Sequence, residues 1–125
     1  MVYVSNSPGK GRGVFAKKRF SKGELIEQAP VVVVPHSELE YLDKTVLYNY
    51  YYSWGVNLED AALSLGNGSL YNHSYEPNAV YVKKIEELVI DFVALRDIEE
   101  GEEITVNYNG RPDSRAPLEY WFEPI

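Results

Sequence analysis

The sequence predicts a single, mainly β domain that carries one short helical insertion. Turn-forming residues recur at short intervals, and the apolar runs between them are only a few residues long. The length of 125 residues suits one domain with its own hydrophobic core, and no repeat, linker or low-complexity tract divides it. The composition, 45% hydrophobic and 25% charged, is ordinary for a globular protein. We therefore expect residues 1–125 to form one domain.

The first part of the chain predicts short strands. Residues 2–4 and 14–16 are short apolar runs, joined by a predicted loop with the sequence SNSPGKGRG. A turn is predicted at residues 21–23, where serine and lysine precede a glycine. Residues 25–34 are rich in β-branched side chains but contain Pro30, which cannot donate a ladder hydrogen bond. This segment predicts either an edge strand or two shorter strand pieces.

One helix is predicted after this segment. Ser37 is followed three residues later by Glu40, which is the capping-box pattern at the start of a helix. Apolar side chains then recur at helical spacing, namely Leu39, Leu42, Val46, Leu47 and Tyr50. The pattern predicts a helix that ends at about Tyr50.

The last part of the chain predicts two further strands. Residues 88–95 form a dense apolar run interrupted by Asp91, which is typical of a mostly buried strand. Residues 97–101 predict a polar turn, and residues 103–108 predict the strand that follows it. The Asn-Gly pair after this strand is a strong turn signal.

Charge and composition limit the classes of ligand. The net charge of -7 disfavours nucleic-acid binding, which needs clustered Lys and Arg side chains, and is compatible with a basic, lysine-rich partner. Solubility alone is the simpler explanation of the same charge. The chain has no cysteine and two histidines, which excludes disulfides and thiolate zinc sites and makes a protein-built metal site improbable.

No segment of the sequence predicts insertion into a membrane. No apolar run approaches the roughly 20 residues that a membrane helix needs, and the N-terminus lacks the apolar segment of a signal peptide. We expect a soluble intracellular protein, and the sequence does not identify its compartment.

Three stretches could carry chemistry. The glycines of GKGRGVFA, residues 9–16, would let a ligand approach the backbone closely. LYNHSYEPNA, residues 70–79, places one of the two histidines among turn formers, between apolar runs. EEGEEITVNYNG, residues 99–110, ends a predicted strand in Asn-Tyr. Each stretch taken alone is better explained as a loop, a turn or a strand without a functional role.

In this order and spacing the three stretches resemble the SET domain of protein lysine methyltransferases. The resemblance rests on the G-x-G pair followed by apolar residues, on N-H-S-x-x-P-N, and on G-E-E-I-T-V-N-Y. It spans residues 11–108 and leaves a short post-SET-like tail at 111–125. It implies a β-clip-like fold of small sheets with a C-terminal pseudoknot.

The resemblance also implies an activity and a cofactor. SET enzymes transfer a methyl group from S-adenosylmethionine to the ε-amine of a lysine in a protein substrate, and they do so without a metal. The implied partner is a lysine-containing, basic protein or peptide such as a histone, and small SET domains can form homodimers to complete a peptide groove. A SET fold that binds proteins without catalysis is the alternative.

Site residues follow from the resemblance position by position. The backbone of Gly11, Arg12 and Gly13 would lie against the methionine part of the cofactor. Asn72 would hold the cofactor through its side chain, and His73 would hold it chiefly through backbone groups near the adenine.

The catalytic tyrosine and an aromatic lid are implied in the same way. Tyr108 would lie beside the sulfonium and the substrate amine. Trp121, in the tail, would stack on the adenine, although docking of the tail onto the core explains it nearly as well.

An aromatic channel should admit the substrate lysine. Tyr50, Tyr52 and Trp54 follow the predicted helix and are candidates for the channel wall. Val106, two residues before the motif tyrosine, is the further channel candidate, and its small side chain would leave room for di- or trimethylation. The alternative is that Val106 is a strand residue whose side chain lies in the core.

Overall fold

Short strands make up most of the folded chain. The computed structural model describes residues 1–118. Its strands are β1 (Val2–Ser7), β2 (Gly11–Ala16), β3 (Leu25–Val34), β4 (Tyr51–Trp54), β5 (Asp60–Ser64), β6 (Asn72–His73), β7 (Ala79–Lys84), β8 (Val89–Ala94) and β9 (Glu103–Val106). Helical turns, in the described residues, occur only between β3 and β4, as a 3-10 helix His36–Glu38, α1 (Leu39–Leu42) and a second 3-10 helix Val46–Asn49. The prediction of a mainly β fold with one helical insertion is confirmed.

The strands form two sheets. The four-stranded sheet has the order β1-β2-β9-β6, and the five-stranded sheet has the order β4-β5-β3-β8-β7. All neighbouring strands are antiparallel except β6 and β9, which pair in parallel through Asn72 with Thr105 and His73 with Val106. Strand β9 therefore lies between β2 and β6, which precede it in the sequence. Its pairing with β6 places the motif stretch 99–110 beside the motif stretch 70–79.

The five-stranded sheet curls until its outer strands, β4 and β7, meet through their side chains. The rings of Tyr52 and Tyr81 cross edge to face with centroids 5.0 Å apart. Beside them the Lys83 Nζ donates a hydrogen bond to the Ser53 Oγ at 3.2 Å. These contacts close the sheet along a seam between strands at opposite ends of its order, and a cavity lies along this seam.

The hairpin of β1 and β2 is longer than the sequence predicts. Most of the predicted loop belongs to the two strands. Ser5 pairs with Gly13, and the next two residues of β1, 6 and 7, pair with residues 12 and 11 of β2. A three-residue turn remains, closed by a hydrogen bond from the Lys10 N–H to the Ser7 carbonyl at 2.9 Å. Polar side chains are compatible with this strand because β1 is the outer strand of its sheet.

The prediction that residues 25–34 form an edge strand is wrong. Strand β3 is interior to its sheet, with β5 on one side and β8 on the other. The partner changes at Pro30: residues 25–30 pair with β8 and residues 31–34 pair with β5. The alternative of two strand pieces is thus closer to the observed ladder, since proline lies where one ladder gives way to the next.

The predicted long helix is also wrong. The α-helix has four residues, and neither it nor the flanking 3-10 helices contains a buried residue. Ser37 lies inside the first 3-10 helix and makes no capping hydrogen bond, so the capping box does not form. Val46 is 70% exposed. A short helix needs packing of its apolar face to persist, and here Leu39 and Leu42 are only partly buried, while Val46, Leu47 and Tyr50 are exposed.

The core lies between the two sheets. Its largest buried side chains include Phe20, Tyr71, Phe92 and Ile104. The predicted buried strand at 88–95 is confirmed as β8, whereas β4 to β7 lie where the sequence predicts no strand. None of the helices in residues 1–118 is long and apolar enough to cross a membrane.

Candidate functional site

Two cavities share a wall at the centre of the molecule. The first, of about 150 Å³, follows the seam and is lined by Asn49, Tyr50, Tyr51, Tyr52, Ser53, Ser69, Tyr71, Tyr81, Lys83 and Tyr108. The second, of about 290 Å³, is lined by Lys10, Gly11, Arg12, Asn49, Tyr50, Ser69, Leu70, Asn72 and Tyr108. Asn49, Tyr50, Ser69 and Tyr108 line both. We call them the tyrosine cavity and the glycine-loop cavity.

Asn72 connects three strands at the glycine-loop cavity. Its Nδ2 donates to the Arg12 carbonyl at 3.0 Å and to the Glu103 Oε2 at 2.7 Å. The other oxygen of Glu103 accepts from the Ser7 Oγ at 2.8 Å. A Cβ at Gly13 would lie 2.3 Å from the Glu103 Oε2, so only glycine leaves room for this arrangement.

His73 is held as a neutral imidazole. Its Nδ1 accepts a hydrogen bond from the Tyr108 N–H at 3.0 Å, which places the ring proton on Nε2. That Nε2 is buried and has no hydrogen-bond partner within residues 1–118. Burial, with a smaller effect of the nearby Lys10 charge, lowers the pKa of His73 below 6.5. The imidazole is therefore a fixed acceptor for the backbone of Tyr108.

Tyr108 contributes a protonated hydroxyl to the shared wall. Its Oη donates to the Tyr71 carbonyl at 2.6 Å, and its own carbonyl accepts from the Tyr81 Oη at 3.1 Å. Burial, reinforced by the neighbouring Tyr81 and Glu103, raises the pKa of Tyr108 well above 10. The hydroxyl can orient a reacting group but is unsuited to remove its proton.

Several side chains that line the tyrosine cavity are shielded from water. Burial is the main reason why the pKa of Tyr52 lies well above 10 and the pKa of Tyr81 is raised to about 12. The Tyr52 Oη donates to the Gly68 carbonyl at 2.6 Å, which fixes that hydroxyl in the wall. Burial also lowers the pKa of Lys83, so a positive charge in this space is disfavoured.

The structure brings most of the predicted site residues together. Gly11, Arg12 and Asn72 line the glycine-loop cavity, Tyr52 lines the tyrosine cavity, and Tyr50 and Tyr108 line both. Gly13 and His73 lie directly behind these walls, through their contacts with Asn72 and Tyr108.

Two predicted site residues lie in the core, and a third falls outside the described part of the chain. Trp54 is 2% exposed and Val106 is 0% exposed; both belong to the core and neither lines the two cavities. For Val106 this is the core placement named above as the alternative. Trp121 lies outside the described residues.

Sequence reasoning missed Tyr71, Tyr81, Lys83 and Glu103. Tyr81 and Lys83 share one side of β7, and the alternation in AVYVKK is a signal that could have revealed them. Glu103 and Tyr71 lie within the motif stretches, but their contacts come from strands distant in sequence. Among residues 1–118, no three histidine or acidic side chains are grouped closely enough to hold a metal ion.

Comparison with known proteins gives the same family by three routes. The SET domain family matches residues 11–109. A Schizosaccharomyces pombe protein named histone-lysine N-methyltransferase, H3 lysine-37 specific, is 32% identical over 121 residues, which are 96% of this chain and 76% of the relative. In five further curated relatives, the chain spans 5% to 38% of their length.

Solved structures show the same fold. The crystal structure of a candidate histone methyltransferase from Plasmodium falciparum is 30% identical, with a TM-score of 0.65 over 86% of this chain and 96% of that chain. An autoinhibited Polycomb Repressive Complex 2 of Chaetomium thermophilum, bound to S-adenosylmethionine, is 20% identical with a TM-score of 0.71 over 86% of this chain and 15% of that chain. The chain belongs to the SET domain family.

Proposed function

We propose that the protein transfers a methyl group from S-adenosylmethionine to the ε-amine of a lysine in a basic protein substrate. The observation that carries the proposal is the wall shared by the two cavities. Tyr108 faces both, so a cofactor in the glycine-loop cavity and a lysine in the tyrosine cavity would meet at its hydroxyl. The S. pombe relative, named a histone-lysine N-methyltransferase, supports this class of reaction.

The residues of the glycine-loop cavity fit S-adenosylmethionine. Lys10 and Arg12 supply positive charge for its carboxylate, and the backbone at Gly11 carries no side chain to obstruct it. Asn72 would hold a polar group of the cofactor through its side chain and His73 chiefly through its backbone near the adenine, which Trp121 would cover. The cofactor supplies an activated methyl group when bound.

The tyrosine cavity would prepare the acceptor amine. A free lysine has a pKa of about 10.4 and is protonated at neutral pH, when it cannot act as a nucleophile. A space walled by Tyr52 and Tyr81, with Lys83 at the seam, would lower that pKa through desolvation and like charge. The Tyr108 hydroxyl, fixed by the Tyr71 carbonyl, would orient the neutral amine.

The test is Tyr108→Phe, which keeps the ring and removes the hydroxyl. Methyl transfer to a lysine-rich protein should fall about 100-fold, the loss that small misplacement of reacting groups causes, while cofactor affinity stays nearly unchanged. The matched control is Tyr75→Phe, because the Tyr75 hydroxyl donates to the Ala116 carbonyl and lines neither cavity. Transfer of labelled methyl groups and calorimetry with S-adenosylmethionine measure the two quantities.

Three results would contradict the proposal. A wild-type chain that fails to bind S-adenosylmethionine, or that binds it only with zinc, lacks the proposed cofactor site. A chain that binds the cofactor and lysine-rich proteins without methylating them is a protein-binding module with a SET fold.

Homodimer formation remains a separate prediction. Sedimentation at several protein concentrations would measure it.

A further inference from the structure

A carboxylate behind the tyrosine cavity has no part in the functions described so far. Glu27 lies on β3 and is half-buried, and it lines neither cavity. No ion pair within residues 1–118 involves it. A half-buried carboxylate without a cationic partner is costly in free energy unless hydrogen bonds compensate it. We infer that Glu27 is a positioning residue for methyl transfer, an inference that rests on the function proposed above.

Both oxygens of Glu27 bind one short segment, residues 66–71. Its Oε1 accepts from the Tyr71 Oη at 2.6 Å, and its Oε2 accepts from the Asn67 N–H at 3.0 Å. A Cβ at Gly66 would lie 2.6 Å from the Oε2, so the segment packs closely against the carboxylate. Two-point attachment fixes the segment more firmly than a single hydrogen bond would.

The same segment receives the hydroxyl groups of the tyrosine cavity. The Tyr52 Oη donates to the Gly68 carbonyl and the Tyr108 Oη donates to the Tyr71 carbonyl, each at 2.6 Å. Ser69, between these two acceptors, lines both cavities. The directions of the Tyr52 and Tyr108 hydroxyls therefore depend on a backbone that Glu27 holds.

Packing alone does not account for the carboxylate. The Tyr71 ring is 1% exposed and stacks on Phe92 with centroids 4.3 Å apart, so its burial is secured without Glu27. An apolar side chain in place of Glu27 would avoid the desolvation of a charge. The carboxylate instead holds the Gly68 and Tyr71 carbonyls in place. These carbonyls orient the Tyr52 and Tyr108 hydroxyls, which would contact the substrate amine.

The experiment compares Glu27→Ala and Glu27→Gln in methyl-transfer kinetics. Glu27→Ala should lower kcat about tenfold or more, with KM for the peptide and Kd for S-adenosylmethionine within about threefold of wild type. Glu27→Gln should recover most of kcat, because its amide oxygen accepts from the Asn67 N–H and its amide nitrogen can donate to the Tyr71 hydroxyl.

Two controls separate positioning from loss of stability. Gln28 is the next residue on β3, and its side chain donates a hydrogen bond to Asp91, which does not contact residues 66–71 through a hydrogen bond. Gln28→Ala removes this bond and leaves the segment unchanged. Ile98→Val removes one buried methylene from the core and lowers stability at a position outside the segment. Assayed well below its melting temperature, each control should keep wild-type kcat. A fall in kcat for the controls that equals the fall for Glu27→Ala would overturn the inference, as would an unchanged kcat in Glu27→Ala.

A second readout does not depend on turnover. In the chain labelled with ¹³C-tyrosine, Glu27→Ala should shift the ring Cζ resonances of Tyr52 and Tyr108, whereas Gln28→Ala should not. If the wild type transfers no methyl group, the proposed function fails and these resonances still decide whether Glu27 orients the hydroxyls. Unshifted resonances in Glu27→Ala would refute the positioning role.

Discussion

At the scale of single residues, the glycine-loop cavity depends on the contacts of one carboxylate. Glu103 on β9 receives hydrogen bonds from Ser7 on β1 and from Asn72 on β6, and Asn72 in turn binds the carbonyl of Arg12 on β2. All four strands of the sheet therefore meet at this group. Space for it exists because Gly13, beside it, has no side chain.

Gly13→Ala should disrupt this group. The new Cβ would lie 2.3 Å from the Glu103 Oε2 and 2.7 Å from the Asn72 Nδ2, both of which would have to move. We expect a loss of stability of about 1–3 kcal/mol and clearly weaker binding of S-adenosylmethionine, measured by urea unfolding and calorimetry. Gly101→Ala is the control: it has a φ of +87° and open space, so it should cost about 1 kcal/mol and leave binding intact. Wild-type affinity in Gly13→Ala would contradict the expectation.

His73 should make stability depend on pH. Its pKa in the folded state is below 6.5, because of burial first and the Lys10 charge second. As pH falls through about 6.5, the unfolded chain binds more protons than the folded chain, so the free energy of unfolding falls. Urea unfolding at pH 7.5 and 5.5 should show a larger loss for the wild type than for His73→Gln. Equal losses would show that another group is responsible.

At the scale of elements, the helical insertion shows how local signals can mislead. The capping pattern at Ser37 and the apolar spacing after it are real sequence features, but no side chain of the face they define is fully buried. Thr45 ends this pattern by capping the second 3-10 helix: its Oγ1 accepts from the Leu47 N–H at 3.2 Å and donates to the Leu42 carbonyl at 2.7 Å.

Thr45 and Ser37 should therefore respond differently to truncation. Thr45→Ala removes both hydrogen bonds and should cost about 0.5–2 kcal/mol of stability. Ser37→Ala removes no capping bond and should stay within about 0.5 kcal/mol of the wild type. Urea unfolding of the two variants provides the comparison. The reverse order of the two losses would indicate that the capping box forms in solution.

The elements predicted best are those whose signal is local. The apolar run of β8 and the turns around Gly23 and Gly101 could be read from neighbouring residues. The position of Pro30 could not, because it lies where β3 changes partners, and partners are a property of the whole sheet. The motif stretches contain part of the cavity lining, including Gly11, Asn72 and Tyr108. The contacts of Glu27, Tyr81 and Lys83 join residues that are distant in sequence, and they became evident only in the folded structure.

At the scale of the whole molecule, charge is the dominant property. The net charge of -7 would favour encounter with lysine targets flanked by Arg or Lys, through long-range attraction more than through contact energy.

Turnover should therefore decrease as salt concentration increases. At low substrate, the rate depends on encounter, and the range of the attraction shrinks to about 10 Å at 0.1 M salt and about 3 Å at 1 M. Initial rates on a basic peptide across this range of ionic strength would test it, with a peptide of neutral flanks as the control. A rate independent of salt, or a preference for acidic peptides, would contradict the expectation.

The position of β9 has a consequence for how the protein is made. This strand is the last of the described chain, yet it lies between β2 and β6, and its ladder with β2 joins residues nearly the whole domain apart. Contacts between such distant residues slow folding, since a large loop must close before they form. During synthesis, a nascent chain that ends before Glu103 lacks β9, so β2 and β6 have no strand between them. Because Tyr108 directly follows this strand and lines both cavities, neither cavity has its complete wall in a chain that lacks β9 and Tyr108.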